Sequence, residues 1–146
     1  MIVKKNKSMY KYIQCDPYKR GISVFIGSCE DLKKWARKFY NNTCEEDLVA
    51  QIEEYCNDNR YTSTEVSAST YSSTKCGHQV VHIPCFSFSY SPAEITNLSH
   101  EILHAVFGIL DYVGVEYRYG GANEAYTYLY EYALKEALTV KGYKNV

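Results

Sequence analysis

The sequence predicts an α+β fold in which helices pack on a small mixed or antiparallel sheet. Segments rich in β-branched and aromatic residues, which are typical of strands, occupy residues 9–15, 22–28 and 78–84. Four other segments carry apolar residues at the three- and four-residue spacing of a helix. The order along the chain, with pairs of strands followed by pairs of helices, is ββααββαα and indicates an α+β domain.

The N-terminal half begins with a predicted hairpin and continues with two predicted helices. MYKYIQC and ISVFIGS are the strands of the hairpin, because the turn-prone segment DPYKRG lies between them. Ser28 is expected to cap a helix over residues 29–40, whose apolar residues recur on one face. Thr43 is expected to cap a second helix, with Glu46 completing a capping box.

The C-terminal half contains the remaining predicted strands and helices. Residues 61–90 are rich in Ser, Thr and Val, and their best strand is HQVVHIP at residues 78–84. Pro92, directly after Ser91, opens a helix that is expected to run to Tyr112. A loop rich in Gly and Tyr then leads to a last helix at residues 123–140.

Composition and charge exclude several classes of function. The chain has 146 residues, 46% hydrophobic and 23% charged, and is expected to form one domain over residues 1–146. Its net charge of -1 argues against a nucleic-acid partner or an anionic membrane surface. Because we find neither a signal peptide nor an apolar run long enough to cross a bilayer, we expect a cytoplasmic protein. The six cysteines include no CxxC pair and are interpreted as free thiols.

The segment SHEILHA at residues 99–105 is the strongest candidate for chemistry. Histidines four residues apart lie on the same face of a helix, so His100 and His104 can both bind one zinc ion. Glu101 is directed toward a zinc-bound water, whose pKa the metal lowers to about 7. The motif therefore predicts Zn²⁺ as the cofactor and Glu101 as the general base. A polar stripe on an ordinary helix is the competing interpretation, and the many apolar residues around the motif count against it.

A catalytic zinc ion also needs a third protein ligand and an open fourth position. Our first candidate is Glu124, twenty residues after His104 and near the start of the last predicted helix. Cys85 and the strand histidines His78 and His82 are rivals, because thiolate and imidazole ligands also suit zinc.

The spacing from HEILH to the segment Asn123, Glu124 and Ala125 resembles that of the gluzincin metallopeptidases, the thermolysin-like enzymes. This resemblance covers residues 100–128. It implies peptidase activity and a zincin-like fold, with an active-site helix and a C-terminal helix that carries the ligand Glu124. The chain also looks similar to small phage-encoded HExxH proteins and, more loosely, to the ImmA/IrrE metallopeptidases.

One position departs from the gluzincin pattern. That family has an aspartate four residues beyond the ligand glutamate, where it orients a histidine ligand, and this chain has Tyr128 there. Asp111, seven residues past His104, is a candidate for the orienting role. The family also uses a hydrogen-bond donor to stabilise the oxyanion of the reaction, and Tyr128 is our candidate for that donor.

The strand at residues 78–84 is the candidate for substrate binding. In zincins, an edge strand beside the active-site helix pairs with an extended substrate, so this resemblance makes Val80 and His82 candidate substrate contacts. For His78 and His82, a solvent-exposed polar face of an edge strand is the competing interpretation.

The sequence therefore predicts a zinc-dependent peptidase that hydrolyses a peptide bond. In it, His100, His104 and Glu124 bind zinc, and the partner is a protein or peptide substrate. The alternative is a catalytically inactive zincin-like binding or regulatory protein, related to phage proteins, with structural zinc or none. The small size of the chain and Tyr128 in place of aspartate favour this alternative.

Overall fold

A computed structural model describes residues 8–57, 68–84, 89–121 and 123–146 of the chain. Its elements, in chain order, are β1 (Met9–Cys15), β2 (Arg20–Ile26), α1 (Cys29–Tyr40), α2 (Glu46–Asn57), β3 (Ser69–Ser72), β4 (Gln79–Ile83), α3 (Pro92–Tyr112), α4 (Asn123–Leu138) and β5 (Lys144–Asn145). The predicted α+β class and the predicted order of the first eight elements are confirmed. The short strand β5 is an addition to the prediction.

The five strands form one mixed sheet in the order β3-β4-β2-β1-β5. β2 and β4 are parallel, from Ile22 opposite Gln79 to Ile26 opposite Ile83, and the other neighbouring strands are antiparallel. A parallel pair needs a long crossover connection, and α1, α2 and β3 lie within it. The prediction of an edge strand at residues 78–84 is therefore wrong, because β4 has a neighbour on each side.

Helices cover both faces of this sheet. α3 and α4 pack on the face that contains Val24 and Val81, whereas α1 and α2 pack on the face that contains Phe25 and Val80. Successive side chains of a strand point to opposite faces, so neighbouring residues of β4 contribute to two different cores. The sheet thus separates the surroundings of α3 from those of α1 and α2.

Short polar side chains determine where the helices begin. Ser28 caps α1 by accepting a hydrogen bond from the backbone N–H three residues on, at 3.2 Å. Ser91 and Glu94 form a complete capping box at the start of α3. The capping box predicted for Thr43 and Glu46 is wrong, because the Thr43 hydroxyl accepts from the N–H two residues on, at 3.1 Å, and α2 begins only at Glu46.

α3 passes close to the sheet at Gly108. A Cβ atom at this position would lie 2.4 Å from Oε1 of Gln79 in β4, so a larger residue would displace the Gln79 side chain. The close approach holds α3, which has 21 residues, across the end of the sheet that contains β3 and β4. In the part of the chain that the structure describes, no helix combines the length and the apolar character needed to cross a membrane.

Candidate functional site

The two histidines of the SHEILHA segment converge on the exposed side of α3. Their Nε2 atoms are 3.0 Å apart, and the centroids of their rings are 4.7 Å apart. Two nitrogens bound to one tetrahedral zinc ion at about 2.0–2.1 Å are about 3.3 Å apart. His100 and His104 therefore need to move only slightly to bind one metal ion.

Glu101 lies between the helix and the sheet and is only 7% exposed. Its Oε2 atom accepts a hydrogen bond from the Thr70 hydroxyl of β3 at 2.6 Å. The same hydroxyl lies 3.0 Å from the backbone carbonyl oxygen of Glu101. Because a buried carboxylate is costly without a donor, this contact both satisfies the carboxylate and fixes its position relative to β3.

A cleft of about 460 Å³ connects Glu101 with His104. Its lining comes from α2, β3 and α3 and consists of Tyr55, Ser69, Thr70, Tyr71, Ser72, Glu101 and His104. The whole of β3 forms one wall, and among the described residues β3 is an outer strand of the sheet. A carboxylate, an imidazole and a strand edge thus face the same space.

Glu124, the predicted third ligand, is exposed in the first turn of α4. α4 runs antiparallel to α3, because Tyr126 packs on Phe107 and the Tyr130 hydroxyl bonds the Ser99 hydroxyl. Glu124 precedes Tyr126 and so lies toward the C-terminal end of α3. In the described part of the chain, the only three-residue set of ligand atoms within 4.8 Å of one another lies elsewhere, so the role of Glu124 stays a prediction.

Two further candidates are also on the surface. Asp111 is exposed and lies in a different cleft, which Phe107, Gly108, Glu116, Tyr117 and Tyr126 line with it. Tyr128 is 68% exposed on α4. Their proposed roles as an orienting group and as an oxyanion donor remain predictions.

The strand candidates lie on the other side of the sheet from α3. His82 is fully buried beside Phe25, and its Nε2 atom donates a hydrogen bond to the Gly27 carbonyl at 2.8 Å. Nε2 of His78 is 3.0 Å from the Tyr40 hydroxyl. Burial lowers the pKa of each histidine to about 4. Since the sheet separates them from His100 and His104, neither can be the third ligand, and the interpretation of an exposed polar face is also wrong.

The structure also replaces the predicted substrate strand. Val80 belongs to the core under α1 and α2, and its strand β4 is paired on both sides, so Val80 and His82 cannot contact an added strand. The third rival ligand, Cys85, lies outside the described residues.

One potential metal site has no counterpart in the sequence predictions. Cys44, Glu45 and Cys76 bring their ligand atoms within 4.8 Å of one another and could hold a metal ion. The hydrogen bond with Cys76, followed by that with Glu45, raises the pKa of the Cys44 thiol to about 11. Cys44 and Cys76 are more than thirty residues apart and belong to no CxxC pair, so only the fold brings them together.

Comparisons with protein-family models, with curated proteins and with solved structures give no match for this chain. The geometry of the two clusters is therefore the basis of the functional argument.

Proposed function

We propose that the protein is a zincin-like, zinc-dependent hydrolase that cleaves a peptide bond in the cleft between α3 and β3. The observation that supports this proposal is the convergence of His100 and His104, with Nε2 atoms 3.0 Å apart, and the presence of the buried Glu101 in the same cleft as His104. A polar stripe on the surface of a helix would require neither the convergence nor a hydrogen-bonded acid beneath it.

The residues present fit a zinc ion by their chemistry. Two imidazole nitrogens are common zinc ligands, and their separation is close to what tetrahedral coordination needs. Glu124 is the proposed third ligand, which would require α4 to bring its first turn closer to His104. When bound, zinc would polarise water and the carbonyl group of the scissile bond.

Glu101 is the proposed general base. Its carboxylate faces the cleft that it shares with His104, so it can accept a proton from the attacking water. It then donates this proton to the nitrogen of the leaving amine as the peptide C–N bond breaks. One water molecule is thus consumed, and a carboxyl group and an amine are formed. The Thr70 hydroxyl keeps the carboxylate in place by donating to Oε2 at 2.6 Å.

β3 is the proposed contact for the substrate, in place of β4. It forms a wall of the cleft and is an outer strand among the described residues, so an extended peptide can pair with it by strand addition. Such a peptide would pass Glu101 and His104. Its backbone carbonyl groups would then lie next to the proposed general base and a proposed zinc ligand.

The central experiment compares Glu101→Gln with the parent protein in zinc content and in hydrolysis of a pool of internally quenched fluorogenic peptides. We expect the variant to keep the zinc bound at His100 and His104 and to lose at least about 10²-fold in rate, because only the base is removed. Glu131→Gln, which changes an exposed glutamate of α4, is the matched control and should be as active as the parent. Equal rates for Glu101→Gln and the parent would contradict the proposal.

A zincin-like binding protein without catalysis is the second candidate. The position of Glu124 favours it, because among the described residues no third ligand atom lies within 4.8 Å of both histidine nitrogens, and a catalytic zinc ion needs three protein ligands. Zinc content of Glu124→Ala in a Cys44→Ser background, which removes the other potential metal site, discriminates the two. The enzyme proposal requires zinc to be lost and the binding proposal does not.

A further inference from the structure

We infer that Cys44, Glu45 and Cys76 form a second site, which binds a thiophilic divalent cation such as Zn²⁺. The site joins the connection between α1 and α2 to the turn between β3 and β4. It shares no residue with the cleft beside α3 and does not depend on the function proposed for that cleft.

The donor atoms are close to the arrangement that such a cation needs. All three lie within 4.8 Å of one another, and two thiolates on one tetrahedral zinc ion are about 3.8 Å apart, so binding requires the sulfur atoms to approach by at most about 1 Å. Two sulfur donors select zinc or cadmium over magnesium and calcium, which prefer oxygen. Three protein ligands leave a position for water or a further ligand.

Hydrogen bonds already hold the two cysteine-bearing segments together. The Asp47 carboxylate, at the start of α2, accepts from the Ser73 hydroxyl at 2.8 Å and from the backbone N–H of Thr74 at 2.8 Å. The Cys76 thiol lies 3.1 Å from Ser73 Oγ and 3.6 Å from the Cys44 carbonyl oxygen. The cation therefore meets a pre-organised site, and little conformational entropy is lost when it binds.

A second pair of thiols provides an internal contrast. Cys29 and Cys56 are hydrogen-bonded to each other, but Cys56 is buried, and among the described residues no third ligand atom joins them within 4.8 Å. Among the described residues, contact between two thiols thus occurs at both places, whereas a carboxylate within 4.8 Å of both sulfur atoms occurs only beside Cys44 and Cys76.

The experiment titrates the reduced full-length chain with Cd²⁺ and follows the thiolate-to-cadmium charge-transfer absorbance. It uses the His100→Ala/His104→Ala variant as background, so that the helix histidines do not contribute. We expect one equivalent of Cd²⁺ to bind, to be displaced by Zn²⁺ and to resist excess Mg²⁺. Adding Cys44→Ser or Cys76→Ser should abolish the signal, and adding Glu45→Gln should raise the Kd about 10-fold or more.

Cys29→Ser in the same background is the matched control and should leave the titration unchanged. A charge-transfer signal that survives Cys44→Ser, or that Cys29→Ser removes, would overturn the inference. Absence of the signal from reduced protein whose circular dichroism and thermal transition match those of the parent would overturn it too. A Cys44–Cys76 disulfide after air oxidation, without metal binding after reduction, would assign the pair to redox chemistry instead.

Discussion

Two pairs of histidines in this protein have the same spacing and opposite surroundings. His82 lies in the strand β4 and His78 directly precedes it, whereas His100 and His104 lie on the helix α3. Four residues span about 13 Å along a strand and about 6 Å along a helix. The strand pair is therefore held apart, and each of its members bonds its own partner, while the helix pair converges to 3.0 Å.

The two pairs of histidines also differ in burial. His82 is fully buried and its pKa is lowered to about 4, so it serves the core as a neutral side chain. His100 and His104 are exposed, and their Nε2 atoms contact each other and not a group of the core. Histidines four residues apart can therefore share a metal ion on an exposed helix, as proposed for His100 and His104, but not in a buried strand.

The largest expected effect is the loss of stability in His82→Ala compared with His104→Ala. The first change removes a fully buried ring and leaves the Gly27 carbonyl without its 2.8 Å donor, which should lower the free energy of unfolding by about 4 kcal/mol. The second change truncates an exposed side chain and should cost about 0.5 kcal/mol or less without metal. Urea unfolding of the metal-free proteins measures both, and similar losses would remove the distinction between the pairs.

The second prediction concerns pH. Because the pKa of His78 and that of His82 are about 4 in the folded state and about 6.5 when unfolded, the unfolded chain binds more protons between these values. The free energy of unfolding should thus be highest above pH 6.5 and fall by about 3 kcal/mol per buried histidine as the pH falls to 4. Urea unfolding at several pH values should show a weaker dependence in His78→Gln.

The third prediction tests the helix pair with zinc. In a Cys44→Ser background, which removes the thiolate site, zinc at about 100 times its Kd should raise the free energy of unfolding by about 2.7 kcal/mol. His104→Ala should abolish this gain, because one of the two converging nitrogens is lost. His78→Gln should retain it, since His78 lies across the sheet. Thermal unfolding with and without zinc gives the answer, and an equal gain in His104→Ala would place the metal elsewhere.

Much of the fold could be predicted because its signals are local. The bounds of α1 and α3 agree with the predicted helices, since Ser28, Ser91 and Pro92 mark their starts through neighbouring backbone groups. The content of β-branched and aromatic residues, with turn-prone residues between the first two segments, likewise identified β1, β2 and β4. Helix geometry places His100 and His104 on one face of α3, so this part of the site could be predicted from the segment SHEILHA. The side-chain rotamers that bring their Nε2 atoms within 3.0 Å of each other could not.

The remaining features depend on contacts between distant segments. Which strand lies at the edge follows from the parallel pairing of β2 with β4, and nothing local in HQVVHIP specifies it. The meeting of Cys44 with Cys76 depends on the packing of a helix connection against a strand turn. Thr70, which holds Glu101, lies more than thirty residues before it in a short strand with a weak pattern. Such contacts require the tertiary structure.

The prediction with the smallest expected effect concerns the hydrogen bond between Thr70 and Glu101. Thr70→Val keeps the shape of the side chain and removes the hydroxyl that donates to Glu101 Oε2, so a buried carboxylate loses its donor. We expect the free energy of unfolding to fall by about 1.5 kcal/mol. Thr70→Ser retains the hydroxyl and should lose less than half as much. If Glu101 acts as the base, Thr70→Val should also lower the hydrolytic rate while zinc content stays at the level of the parent. A full rate in Thr70→Val, together with the loss of stability, would show that the hydroxyl supports the fold and not the chemistry.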